Sequence, residues 1–174
     1  ENGYNLSARN ITVSSCGIVP RIYDLAKEDI PITFALSLHA PTDEERKELM
    51  PVAHRYTLSE TLDACREYFR QTGRRVTFEY SLVKGKNDTQ EQAVKLAKLL
   101  SGMNCHVNLI PINPVEERDY ERSDSDSVEK FKSTLAKYHI NATIRKSMGS
   151  DIDAACGQLR RKYAFHHQED SHAF

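Results

Sequence analysis

Cys156 follows two carboxylates, Asp151 and Asp153, has Gly157 beside it and precedes Arg160, Arg161 and Lys162, in the stretch GSDIDAACGQLRRK. A thiol in such surroundings can serve as a nucleophile or as a carrier of a small group once it ionises. Its neighbours pull that ionisation both ways. The carboxylates raise a thiol pKa, whereas Arg145, Lys146 or a helix N-terminus lower it. Ser150 with Asp153 three residues on resembles a capping box that opens a short helix, and Gly157 breaks that helix, leaving the sulfur near its end. The structural alternative is a small buried hydrophobe, the commoner fate of a free cysteine.

A second set of polar residues falls where apolar runs finish. Ser14-Ser15 close one run, Ser37 and His39 a second, Tyr80 and Ser81 come late in a third, and Asn113 follows a fourth. Hydroxyl, amide and imidazole groups converging from several strands suit a ligand with a ribose, an amino-acid head and a purine. Singly, each has a plainer reading. Ser37 alternates with Ala35 as any strand residue would, and His39 ahead of Ala40-Pro41 can fix a turn. Asn113, held between Pro111 and Pro114, loses less entropy on being positioned. The cysteines at 16, 65, 105 and 156 form no CxxC pair, so neither a zinc site nor a disulfide framework is expected. His166, His167 and His172 read as part of a polar tail spanning 165–174.

The elements that position these residues follow from periodicity. Short β-branched runs at 11–14, 32–38, 76–83, 106–110 and 142–145 alternate with amphipathic stretches at 20–27, 42–49, 59–72, 89–100 and 126–138. That alternation means βαβ units, a mostly parallel sheet and right-handed crossovers, the α/β class. Leu58, Leu62, Cys65 and Phe69 recur at helical spacing, which makes Cys65 core filler, and Gly73 and Gly102 stop their helices. Residues 1–164 read as one unit. In such folds ligands gather beyond the carboxyl ends of the strands, where the polar set lies.

With 174 residues, 39% of them hydrophobic, the chain can bury one real core. No run reaches the ~18 apolar residues of a membrane span, and the start shows no leader pattern, so the expectation is a soluble, cytoplasmic protein without a membrane partner. A formal charge of −1 gives no global case for nucleic acid. Locally, 116–129 is acid-rich, and 145–162 places a basic surface beside Cys156. The first residue is Glu1, as expected of a piece of something longer.

Four stretches, ITVSSCGIVPRIYDLA, FALSLHAPTDEERKELMPV, VNLIPINP and IRKSMGSDIDAACGQLRRKYA, together resemble the radical S-adenosylmethionine RNA methyltransferases of the RlmN/Cfr type, most closely the RlmN branch. The match runs from about residue 5 to residue 164, and the DIDAACGQL block is its most specific part. The resemblance implies a partial TIM-like radical SAM barrel, of which this chain holds the last four strands with their helices, plus a C-terminal strand and cysteine loop. It implies that Ser14, Ser37, Leu38, His39 and Asn113 contact S-adenosylmethionine and that Cys156 becomes methylated and carries the carbon. The activity implied is methylation of carbon 2 of an adenosine in 23S rRNA and in tRNA, with carbon 8 as the alternative of the Cfr branch.

The family's CxxxCxxC motif, its Gly-Glu-Pro segment, its acidic base, its second cysteine and its RNA-binding region have no counterpart in these residues. The [4Fe-4S] cluster ligands are therefore expected in a missing N-terminal part, with no metal ligand here, and this segment alone is expected to be inactive. The implied partners are the two RNAs and a reductant for the cluster. An isolated segment would have an edge strand open to dimer pairing. Two other readings remain: a non-radical α/β enzyme using Glu79, Lys84 or His39 as acid or base, and a non-catalytic piece docking RNA or a partner through Arg160, Arg161 and Lys162.

Overall fold

The computed structural model describes residues 6–112 and 120–145. Five strands, β1 (Thr12–Ser15), β2 (Thr33–Ser37), β3 (Val76–Leu82), β4 (Cys105–Pro111) and β5 (Ala142–Ile144), form one parallel sheet in the order β1-β2-β3-β4-β5. The helices are α1 (Val19–Lys27), α2 (Asp43–Leu49), α3 (Leu58–Thr72), α4 (Gln90–Leu99) and α5 (Ser125–Lys137). Helix α3 starts at a capping box, in which Thr57 accepts from the Glu60 N–H and the Glu60 carboxylate accepts from that of Thr57, and it ends at Gly73 with φ 66°. Thr89 caps α4, and Asp124 caps α5.

Strand parity decides which face meets the helices. Phe34 and Leu36 on β2, Val76, Phe78, Tyr80 and Leu82 on β3, and Val107 and Leu109 on β4 share one core with Ile22 of α1, Leu62 of α3, Leu96 of α4 and Phe131 of α5. All four of those helices therefore lie on one face. Same-handed crossovers between neighbouring strands in unbroken order produce this one-sided layering, the arrangement of a barrel wall and not of a doubly wound sheet. The residues of opposite parity line the other face: Thr12 and Ser14, Ala35 and Ser37, Thr77, Glu79 and Ser81, His106 and Asn108, and Thr143. Parallel sheets usually bury both faces in apolar residues, so this polar face is built for something other than packing.

Two expectations are corrected here. Tyr80 does not belong to the polar strand-end set: it shares parity with Phe78 and Leu82, is fully buried, and packs on Phe131 with ring centroids 5.4 Å apart. On α3 the buried aromatic is Tyr68 and not Phe69, because Phe34 offers it a partner ring at 5.1 Å while its hydroxyl reaches the Ile32 carbonyl. β1 occupies an edge of the sheet, with Ile11, Val13 and Ile18 exposed. Among the described residues no helix is long and apolar enough to cross a membrane. Cys156 and its basic neighbours, Asn113 and the tail at 165–174 lie outside the described residues.

Cys65 and Cys105 are core residues, and burial pushes their thiols up to about 12 and about 11. Cys16 is exposed. Native alkylation with iodoacetamide at pH 8 is expected to label Cys16 first, with Cys65 roughly 10³-fold slower for want of thiolate. Peptide mass spectrometry reads this directly, and comparable labelling of Cys65 and Cys16 would contradict the packing described.

Candidate ligand-binding site

The register aligns mostly polar side chains in rows across the face away from the helices, hereafter the open face, where Ala35 and Thr77 are nonetheless buried. Ser37, Glu79, Asn108 and Thr143 are successive partners on β2, β3, β4 and β5. Ser14, Ala35, Thr77 and His106 form the adjoining row. The Thr143 hydroxyl donates to Asn108 Oδ1 at 2.9 Å. That hydroxyl has a single hydrogen, so His106 Nε2, 2.9 Å from Thr143 Oγ1, must carry its own proton and donate. The amide N–H groups of Asn108 are left uncommitted among the described residues. Glu79 keeps its carboxylate on this face with 16% side-chain exposure, facing Arg145 Nη1 at 3.8 Å, too long for a hydrogen bond. The row thus presents hydroxyl, carboxylate and amide groups at strand spacing, of which the Ser37 hydroxyl and the Asn108 amide N–H groups make no hydrogen bond among the described residues, a set suited to a polyhydroxylated or zwitterionic ligand.

Directly after β2 the chain turns sharply at His39, whose φ of 61° lies in the left-handed region. Three bonds hold that conformation. The His39 N–H donates to the Glu79 carbonyl, its carbonyl accepts from Asn87 Nδ2 at 2.9 Å, and its Nδ1 accepts from the Ser81 N–H at 3.1 Å. Asn87 is buried and also donates from Nδ2 to the Ser81 carbonyl at 2.7 Å and accepts from the Val83 N–H at 2.7 Å. Its side chain joins the end of β2 to the end of β3.

Burial and, secondarily, the Arg46 guanidinium hold the His39 pKa down to about 4. In the unfolded chain the ring titrates near its ordinary value of ~6.5, so that state binds a proton first as pH falls. The stability tied to a neutral ring is whole above pH 6.5 and is lost as pH drops toward 4. A loss of roughly 2 kcal/mol across that window is expected. Urea midpoints at pH 7 and pH 4.5 for the wild type and His39→Gln check it, and an equal acid loss in both would show that the ring contributes nothing.

Arg46 of α2 supplies the second brace. Its side chain is fully buried; Nη2 donates to the Cys16 carbonyl at 2.8 Å and to that of Ser37 at 3.4 Å, and Nε donates to that of Leu38 at 3.3 Å. Burial lowers its pKa, with Asp43 opposing. The guanidinium ties the end of β1 to the end of β2. Gly17, at φ 100°, makes room for it: a Cβ there would stand 3.0 Å from Arg46 Nη2.

Of the residues expected at the site, Ser14 is exposed on the open face of β1, Ser37 is half-buried on that of β2, and His39 stands at the turn above. Leu38 has its side chain in the core and both backbone polar groups engaged, by the Glu79 carbonyl and by Arg46, so it fixes the backbone between Ser37 and His39. Asn113 and Cys156 lie outside the described residues. Arg46 and Asn87 escaped the sequence reading. DEERKEL looks like a solvated helix and KGKNDT like an ordinary turn. Of the groups suggested for acid–base work, Lys84 is exposed and paired with Glu121 at 2.8 Å, away from the row.

No family model matches the chain. A probable dual-specificity RNA methyltransferase RlmN of Clostridium acetobutylicum is 61% identical over 163 residues, covering 94% of this chain and 47% of that protein. The protein of the same name from Clostridioides difficile is also 61% identical, over 94% of this chain and 48% of its own length. A radical SAM methyltransferase of Sphaerobacter thermophilus, known by crystal structure, superposes with a TM-score of 0.86 at 49% identity, covering 90% of this chain and 46% of that one. The chain is related to RlmN-type radical SAM methyltransferases.

It spans about half the length of the curated relatives it matches. A domain of a pyruvate-formate lyase-activating enzyme from Bacteroides vulgatus, 12% identical with a TM-score of 0.61 over 78% of this chain, shares the fold.

The RlmN relationship implies S-adenosylmethionine and an iron–sulfur cluster, and the described residues fit the two differently. The Glu79 carboxylate, ion-paired with Arg145 but without a hydrogen bond to it, the Asn108 amide and the Ser37 and Ser14 hydroxyls suit the first. No group of three or more His, Cys, Asp or Glu that could hold a metal occurs among the described residues, and Cys65 and Cys105 sit on the helix side of the sheet. These residues do not form a cluster site.

Proposed function

We propose that this chain is the donor-binding and methyl-carrying part of a radical SAM RNA methyltransferase acting on carbon 2 of an adenosine in 23S rRNA and tRNA. The observation that supports it most is the polar open face of the parallel sheet, in a chain 61% identical to an RNA methyltransferase RlmN. S-adenosylmethionine supplies a methyl group made electrophilic by a sulfonium centre. Ser14, Ser37, His39 and Asn113 hold it at the strand ends, with Leu38 setting the backbone between two of them.

Cys156 loses its proton to solvent and its sulfur attacks that methyl carbon. A sulfur–carbon bond forms on the cysteine as the sulfonium–methyl bond breaks, its electron pair staying with the departing thioether. The carbon then goes to the RNA base. Carbon 2 of adenine lies between two ring nitrogens and is electron-poor, so a second polar transfer would fail there. The chemistry that completes the transfer belongs to groups outside the described residues, and this segment alone is expected to be inactive. The base must leave its stack to be reached, and Arg160, Arg161 and Lys162 suit the phosphates around it.

A full-length family protein carrying these residues, loaded with its cluster and given a 23S rRNA fragment, is expected to yield 2-methyladenosine by nucleoside mass spectrometry. 8-Methyladenosine would move the assignment to the Cfr branch, and an unmodified base would overturn it.

A further inference from the structure

We propose that Asn87 and the Ser81 backbone fix His39 as a permanent Nε2–H donor toward the ligand, so that its imidazole binds and does not transfer protons. The proposal rests on reading the open face as a ligand site.

A backbone N–H can only donate, so the Ser81 amide, 3.1 Å from His39 Nδ1, requires a lone pair there. The neutral ring then carries its one hydrogen on Nε2. Protonating Nδ1 would set two N–H groups against each other. Among the described residues nothing pairs with Nε2, so its hydrogen is available to an acceptor atom: a carboxylate oxygen, a carbonyl, a hydroxyl or a purine nitrogen.

Asn87 makes this arrangement hold. Its amide nitrogen bridges the carbonyls of His39 and Ser81, its oxygen takes the Val83 N–H, and its own carbonyl receives the Tyr80 hydroxyl at 3.2 Å. The side chain therefore sets the distance between the histidine turn and the strand end that orients the ring. Alanine would leave two carbonyls without a donor, and aspartate would face them with a carboxylate. The ionisable groups on the elements around the ring are Asp43, Glu44, Glu45, Arg46, Lys47 and Glu48 on α2, Glu79 on β3, and Lys84, Lys86 and Asp88 in the turn after it. Arg46 acts on the ring in the same direction as burial. Asn87 is thus a positioning residue, and His39 a binding residue with no acid–base role.

The test uses a full-length family protein carrying these residues, labelled with nitrogen-15 in histidine, with His39 assigned from His39→Gln. The expected spectrum shows a neutral Nε2–H ring at pH 7 with no titration down to pH 5.5. In Asn87→Ala the ring is expected to become a mixture of tautomers with its titration moved up toward the ordinary range, and S-adenosylhomocysteine to bind about tenfold more weakly. A wild-type ring that titrates near 6.5, one protonated on Nδ1, or an Asn87→Ala ring identical to the wild type would overturn the proposal. Should Asn87→Ala fail to fold, the wild-type titration decides alone. Binding of S-adenosylhomocysteine is a separate readout: its absence in the wild type overturns the donor-site reading, and the ring spectrum still judges His39.

Discussion

Cys156→Ala in a full-length, cluster-loaded family protein is expected to abolish RNA methylation, with product formation falling by roughly 10³-fold or more, the scale of removing a covalent nucleophile. Among the described residues, the two buried cysteines offer no alternative acceptor for the methyl group. Cys65 and Cys105 are locked in the core with thiols pushed up to about 12 and about 11. Exposed Cys16 follows β1 directly, with its carbonyl held by Arg46. Donor binding should survive in Cys156→Ala, since the strand-end groups that would hold S-adenosylmethionine are untouched. Mass spectrometry gives a second reading: wild-type protein incubated with methyl-labelled donor is expected to carry the label at Cys156 and at no other cysteine. Normal RNA turnover by the alanine variant would remove the carrier role.

Arg46→Met is expected to destabilise the fold by about 3 kcal/mol, the largest stability effect of any one polar side chain among the described residues. Methionine fills much of the same volume, so the loss comes from the carbonyls of Cys16, Ser37 and Leu38, which lose a charged donor and stay away from water. Arg46 Nη1 has no hydrogen-bond partner among the described residues, and relief of that unpaired group offsets part of the loss. Arg46→Lys should fall between, because an ammonium cannot reach three carbonyls from the fixed fork of a guanidinium. Denaturant midpoints of the three proteins measure the series, and an unchanged midpoint for Arg46→Met would show the brace to be dispensable. Because the same carbonyls flank Ser37 and His39, donor affinity should weaken alongside stability.

The two braces also show why a parallel sheet can keep one polar face. Among the described residues no helix covers the strand ends carrying Ser14, Ser37 and Ser81 on that side. Arg46 and Asn87 instead bind the ends of β1 to β2 and of β2 to β3 from within the backbone network. The open row between them can then stay available for a ligand.

Most of the architecture was legible in the sequence because its causes are local. Alternation set the strands, apolar stripes and the stop at Gly73 set the helices, and the regular strand–helix order implied a parallel sheet. Cys65 read as core from its helical stripe and is core. The family resemblance likewise rested on short contiguous blocks. What only the tertiary structure decided depends on residues far apart in the chain. Arg46 meets the Cys16 carbonyl across 30 positions and Asn87 meets that of His39 across 48. No local pattern separates such an arginine from a solvated one, or such an asparagine from a turn former. The face that Tyr80 takes was settled by the register of β3 against its neighbours and by Phe131 waiting on α5, since a polar tip on an aromatic body suits either side until packing chooses.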